Sequence, residues 1–173
     1  MKVKHCAEII IGDYQFAESL NQEVLHQLKS AKDIGHTNVK AFHTEWDWLS
    51  NNQKIKNFKS FILSEIEKHY QPGARVDGSR DLGKIVSLWG NLYKKGDYAQ
   101  SHSHKSFDCS FAYFVKAKWY DSPLIFDDSG KRIRPKEGRY VIFPPYLLHS
   151  VPKNRYNHER VTLSGNYLLN RNR

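Results

Sequence analysis

Beyond residue 80 this 173-residue chain loses its helical periodicity and breaks into short runs of β-branched and aromatic side chains: Ile85–Tyr93, Phe107–Ala117, Leu124–Phe126, Tyr140–Phe143 and Val161–Leu169. Such runs read as strands because branched and aromatic side chains fit a pleated, half-buried surface. Gly96, Gly130 and Gly138 fall between them, where turns are needed. Helical crossovers are missing from this half, so the runs suggest a barrel or sandwich rather than a parallel βαβ sheet.

The first half has a different rhythm. Phe16, Leu20, Val24 and Leu28 recur every four residues within 16–32, and Ile55, Phe58, Ile62 and Ile66 every three or four within Gln53–His69. Each set marks one face of a helix, and Pro72-Gly73 stops the second. Ala7–Ile11 reads as a strand ahead of them. Both helices are expected to cover one face of the sheet. The expected architecture is mainly β with flanking N-terminal helices. Residues 1–80 supply helical support and a first strand, 81–170 the β core, and residues 1–173 make one domain, a length that suits a single core.

Composition narrows the class. The chain is 39% hydrophobic and 13% aromatic, and no apolar run approaches the roughly 18 residues of a membrane span. Met1-Lys2-Val3-Lys4-His5-Cys6 lacks the apolar core of a signal peptide, which implies a cytoplasmic protein. Cys6 and Cys109 are too few for a disulfide scaffold or a cysteine zinc site, and Cys109 is expected to pack inside a strand. A formal charge of +9 favours acidic partners, including nucleic acid. The basic residues are scattered rather than gathered in a tract, which favours a solvated surface over a nucleic-acid interface.

Candidate chemistry starts at His102 and His104, whose spacing of two puts both imidazoles on one face of an extended segment, where they can converge on a divalent cation. Exposed histidines beside Ser and Lys are common, so the pair alone is weak. His149 follows an apolar strand and the Pro144-Pro145 loop and enters the next strand, a place for a third ligand; a histidine hydrogen-bonded to backbone is the plain alternative. Arg160, eleven positions on, can occupy the adjacent strand and aim its guanidinium into the same barrel. A buried arginine needs an anion, which a dicarboxylate would supply bidentately; a pairing with Glu159 would serve structure instead.

The order Tyr93, Gly96, His102, His149, Arg160 resembles the prolyl-hydroxylase-like iron(II)/2-oxoglutarate oxygenases. Trp89-Gly90-Asn91, Gly96-Asp97-Tyr98, His102-x-His104 and Ser110-Phe111-Ala112-Tyr113-Phe114-Val115, continued from Gly138 to Asn166, resemble more closely a family of oxygenases found in bacteria and phages. The similarity covers residues 85–170, with the helical half matching only loosely. One departure stands out: His104 occupies the place of the carboxylate in the familiar two-His-one-carboxylate site.

The resemblance implies a double-stranded β-helix, a jelly roll of cupin-like form, and an iron(II)- and 2-oxoglutarate-dependent dioxygenase that hydroxylates a substrate, a protein prolyl residue being the first guess, with ascorbate as a supporting reductant. It implies iron held by His102, His104 and His149, with Asp108 a further candidate that reaches the site only through a bend. Arg160 would anchor the co-substrate, joined by Tyr93, Thr162, Ser164 and Asn91; Trp89, Phe107, Tyr113 and Trp119 would shape the substrate pocket. The same residues serve equally as ordinary packing. Two other classes stay open: a cupin-like three-His metal protein or oxygenase that uses no 2-oxo acid, and a basic nucleic-acid-binding domain. Neither substrate nor oligomeric state can be read.

Overall fold

The computed structural model describes residues 7–35, 37–70 and 82–170. In chain order the elements are β1 (Ile10–Asp13), α1 (Ala17–Leu28), β2 (Val39–Lys40), β3 (Phe42–His43), α2 (Gln53–Tyr70), β4 (Gly83–Tyr93), β5 (Tyr98–His102), β6 (Cys109–Lys116), β7 (Leu124–Phe126), β8 (Lys131–Ile133), β9 (Arg139–Phe143), β10 (His149–Val151) and β11 (Arg160–Leu169). The strands form two antiparallel sheets, one ordered β1-β9-β6-β11-β4-β3 and the other β2-β5-β10-β7-β8. Together with the two helices they make the expected jelly roll.

The alternation of side chains along each strand divides the major sheet into two working faces. Phe111, Tyr113, Val115, Tyr140, Ile142, Val161 and Leu163 point to the helices and join Leu20, Val24, Leu28, Ile55, Phe58, Ile62 and Ile66 in one core. Phe114, Val141 and Phe143 point the other way and meet Val39, Ala99, Leu124, Phe126 and Val151 of the second sheet. Burial on both faces explains why β6 and β9 read as nearly continuous apolar runs. It also accounts for the helices: the four α2 side chains are fully buried, worth about 1.5–3 kcal/mol each as apolar area removed from water.

α2 starts at a defined cap, with the backbone N–H groups of Lys54 and Ile55 donating to the side-chain oxygen of Asn52 at 2.9 and 3.3 Å. α1 is shorter than the periodicity suggests, and Phe16 is exposed just ahead of it. The Pro72-Gly73 stop and Cys6 lie outside the described residues, whereas Cys109 is buried in β6 as expected. Gly96 and Gly138 take φ of 92° and 81° in tight turns, a left-handed backbone that side chains with a Cβ rarely adopt. Among the described residues, no helix is long and apolar enough to cross a membrane.

Candidate metal centre and anion pocket

The short, polar strands β5 and β10 pair antiparallel with His149 directly opposite His102. His104 follows in a loop whose backbone is fixed to the corner before β10, its N–H donating to the Pro145 carbonyl at 2.7 Å. Ring centroids are 4.3 Å apart for His102–His149, 5.1 Å for His102–His104 and 5.2 Å for His104–His149. One ligand atom from each lies within 4.8 Å of the others, so the three could hold a metal ion.

Backbone contacts orient two of these rings. His102 Nδ1 is 2.7 Å from the Gln100 carbonyl, and His149 Nδ1 is 2.9 Å from the Leu147 carbonyl. A carbonyl only accepts, so Nδ1 carries the proton and Nε2 keeps its lone pair for a metal. Burial, followed by the neighbouring imidazoles, drives His104 down to about 3, and burial with His102 drives His149 down to about 4. Burial lowers His102 as well. All three rings are therefore neutral, ligand-ready bases at neutral pH, and as a set they leave a bound cation's charge uncompensated.

Sequence reasoning passed over Asp127. Its two carboxylate oxygens accept from the hydroxyls of Ser101 and Ser150, which flank His102 and His149. The carboxylate thereby clamps together the two strands that carry these imidazoles. The signal was present in the pattern Ser101-His102 and His149-Ser150, whose serines point to the opposite face from the histidines.

Across the cavity from the histidines stands the inner face of β4 and β11. Their register pairs Arg160 with Tyr93, Thr162 with Asn91 and Ser164 with Trp89, and all six side chains line the same cavity as the three histidines. Arg160 does not sit on the strand beside His149, as expected from the eleven-residue spacing; β10 and β11 lie in different sheets and the guanidinium faces the histidines across the sandwich. Residues consecutive along the chain here cross from one layer to the other.

Arg160 is 2% exposed, with its guanidinium carbon 4.8 Å from the Tyr93 ring centre and 5.3 Å from that of Phe114. Among the described residues its Nε and Nη1 have no hydrogen-bond partner, and burial works against its charge. Glu159, the structural alternative as partner, instead pairs with Lys116 at 3.5 Å on the surface. Asn91 donates to the Thr162 and Ser164 hydroxyls at 3.4 Å, leaving its own Oδ1 without a partner. Native proteins rarely leave buried donors unpaired, so the two guanidinium nitrogens define a place for an anionic ligand. A dicarboxylate with a second coordinating end fits that donor set and the neighbouring imidazoles.

Several expected residues fall elsewhere. Asp108 accepts from the Leu169 N–H at 2.9 Å at the far edge of β11 and is outside the histidine cluster. The outward bend of the chain at His104–Asp108 puts its carboxylate over a backbone donor rather than toward the imidazoles. Phe107 lines a separate surface pocket with Asp108. Tyr113 points to the helices, where its hydroxyl donates to Asn21; its neighbour Phe114 is the one that faces the cavity. Trp119 is 69% exposed on a loop. Of the four aromatic candidates only Trp89 lines the cavity, with its ring centre 6.1 Å from that of His104. Phe143, Leu124 and Val151, not singled out from sequence, complete the apolar wall.

The fold is a jelly roll, a double-stranded β-helix, that holds His102 and His149 on one sheet, His104 in the adjoining loop and a buried arginine on the other sheet. Solved structures agree. The chain superimposes on the viral collagen prolyl hydroxylase of Paramecium Bursaria Chlorella virus-1 in complex with 2-oxoglutarate with a TM-score of 0.71, 12% identity, and coverage of 92% of this chain and 94% of that one. A Pseudomonas putida prolyl-4-hydroxylase gives 0.71, 13%, 94% and 92%. HygX of Streptomyces hygroscopicus with nickel and 2-oxoglutarate bound gives 0.72, 8%, 95% and 84%. No family model and no curated protein matches the sequence. At such identities the likeness is one of fold.

Proposed function

We propose that residues 1–173 form a single iron(II)- and 2-oxoglutarate-dependent dioxygenase domain that hydroxylates an organic substrate. The observation that carries this reading is Arg160, a buried guanidinium with two unpaired nitrogens in the same cavity as three neutral imidazoles. The overall change balances as substrate C–H, dioxygen and 2-oxoglutarate giving substrate C–OH, succinate and carbon dioxide. Bound iron(II) would supply the redox chemistry that divides dioxygen between the two organic molecules.

The chain's own residues have distinct tasks. His102 and His149 offer their Nε2 lone pairs to the ion, and His104 offers a ring-nitrogen lone pair. Arg160 takes the distal carboxylate, the Tyr93, Thr162 and Ser164 hydroxyls add hydrogen bonds around it, and Asn91 orients the last two by donating to their oxygens. Phe114, Phe143 and Leu124 keep water away from the ion and the co-substrate, which strengthens these charged contacts. A protein prolyl residue is the first substrate class to test, because two of the superimposed structures are prolyl hydroxylases. HygX, solved also with hygromycin B bound, makes a small molecule the next.

Among the described residues the histidine cluster includes no carboxylate, which supports a second reading, a cupin-like three-His protein that uses no 2-oxo acid. The two separate in one assay. Protein supplied with iron(II), ascorbate and 2-oxoglutarate should form succinate slowly even without substrate, and lose that activity on replacement of His149 or Arg160. Iron stoichiometrically bound with no succinate formed would rule out the dioxygenase and leave the cupin-like reading.

A further inference from the structure

We infer that the end of the barrel remote from the histidines is a docking surface for single-stranded nucleic acid. Tyr98 begins β5 and Val151 ends β10, whereas His102 and His149 stand at the other ends of these strands. The loops 94–97, 117–123 and 152–159 meet at this remote end. They are fastened to one another: Gly96 N–H donates to the Asn154 carbonyl at 2.7 Å, Asn154 N–H to the Asp97 carbonyl at 2.8 Å, and the Ser122 hydroxyl to the Lys153 carbonyl at 3.1 Å. Asp121 completes the joint, accepting from the Lys118 N–H and pairing with His158 Nε2.

On this fixed base stands a run of aromatic rings. Trp119 meets Tyr120 edge to face with centroids 5.6 Å apart, Tyr120 meets Tyr156 edge to face at 4.7 Å, and Tyr156 stacks on His158 at 5.7 Å with planes 22° apart. Trp119, Tyr120 and Tyr156 are nevertheless 69%, 37% and 42% exposed. Three large rings, joined edge to face through Tyr120 and still open to water, offer preorganised faces for stacking.

The charge around the rings is net positive. Lys94, Lys95, Lys118, Lys153 and Arg155 are exposed on the same loops, with the Lys118 and Lys153 ammonium groups 5.7 Å from the Tyr120 and Tyr98 ring centres. The loops' acids are already engaged: Asp97 accepts from the Lys94 N–H, Asp121 pairs with His158, and Glu159 pairs with Lys116. Flat faces suit bases, and the surplus cations suit the phosphates between them. An acidic peptide would use the lysines but has no need of the rings, and the large apolar side chains exposed on these loops are all aromatic rather than aliphatic. The surface therefore tethers the protein to a nucleic acid without presenting the bound bases to the histidines.

The test is anisotropy of a fluorescent single-stranded oligothymidylate titrated with the whole protein at two salt concentrations. Expected is salt-sensitive binding, unchanged by a metal chelator and weakened at least about fivefold by Trp119→Ala or Tyr156→Ala. Trp119→Phe and Tyr156→Phe, which keep a stacking face, should recover most of it, and Lys118→Glu should weaken it further. Melting curves of each variant establish that it is folded; both aromatic side chains are exposed, so little stability rests on them. Absence of binding overturns the proposal. So does equal displacement by polyglutamate together with indifference to the aromatic substitutions, which would assign the surface to an acidic peptide.

Discussion

Replacing Arg160 by methionine separates a ligand-binding arginine from a structural one, because the two roles move stability and affinity in opposite directions. In the ligand-free protein two guanidinium nitrogens are buried without partners, and each such group costs about 1–3 kcal/mol. Methionine fills similar space without those donors, so the ligand-free variant should be at least as stable as the parent. With 2-oxoglutarate bound, the same change removes a buried charge-assisted contact and should cost about 2–5 kcal/mol. At roughly 1.4 kcal/mol per tenfold, the dissociation constant rises about 30-fold to several thousand-fold. Calorimetric titration of 2-oxoglutarate into nickel-loaded protein measures the affinity without turnover, and thermal unfolding of the metal-free protein measures the stability. The parent should gain about 2.7 kcal/mol of stability at 2-oxoglutarate concentrations a hundredfold above its dissociation constant, a gain that should shrink to about 0.9 kcal/mol or less in the variant at that concentration. Unchanged affinity, or a ligand-free variant that melts far below the parent, would refute the assignment of Arg160 to the anion.

Three further outcomes follow from the same geometry. The histidines have folded values below the unfolded imidazole value near 6.5, so below that pH the unfolded chain binds protons that the folded chain refuses. Stability of the metal-free protein should therefore fall as pH drops from about 6.5 toward about 4, and a His104→Asn, His149→Asn double variant should show a shallower fall in urea titrations across that window. Asp127→Ala should weaken nickel or cobalt binding by about 10–100-fold while the protein stays folded, with Asp127→Asn in between; metal affinity equal to the parent's would show that the serine clamp does not position the imidazoles. His104→Asp should keep the metal but make its centre one charge less positive, lowering affinity for 2-oxoglutarate; tighter binding of the dianion would contradict the electrostatic reading.

The parts of this fold legible from sequence are those whose pattern follows from local burial. Leu20, Val24 and Leu28, and Ile55, Phe58, Ile62 and Ile66, repeat at helical spacing because one face of each helix meets the sheet. β4, β6, β9 and β11 stand out because both of their faces are covered. β5 and β10, which carry His102 and His149, are short and polar, and their pairing joins segments nearly fifty residues apart that no local pattern relates. The crossing of the chain from β10 in one sheet to β11 in the other was equally hidden, so the eleven-residue interval suggested neighbours where the structure has opposing walls. Tyr113 and Phe114 show the limit at its sharpest: adjacent aromatics on one strand face opposite sides, and only the register decides which one sees the cavity.

The most direct measurement is an anaerobic crystal structure of the protein with iron(II) and 2-oxoglutarate. One ion should lie about 2.0–2.2 Å from a ring nitrogen of each of His102, His104 and His149, at ordinary metal–imidazole distance, with the 2-oxo acid chelating it and its far carboxylate on Arg160 Nε and Nη1. An ion bound away from these rings, or a co-substrate carboxylate that leaves Arg160 unpaired, would contradict the account.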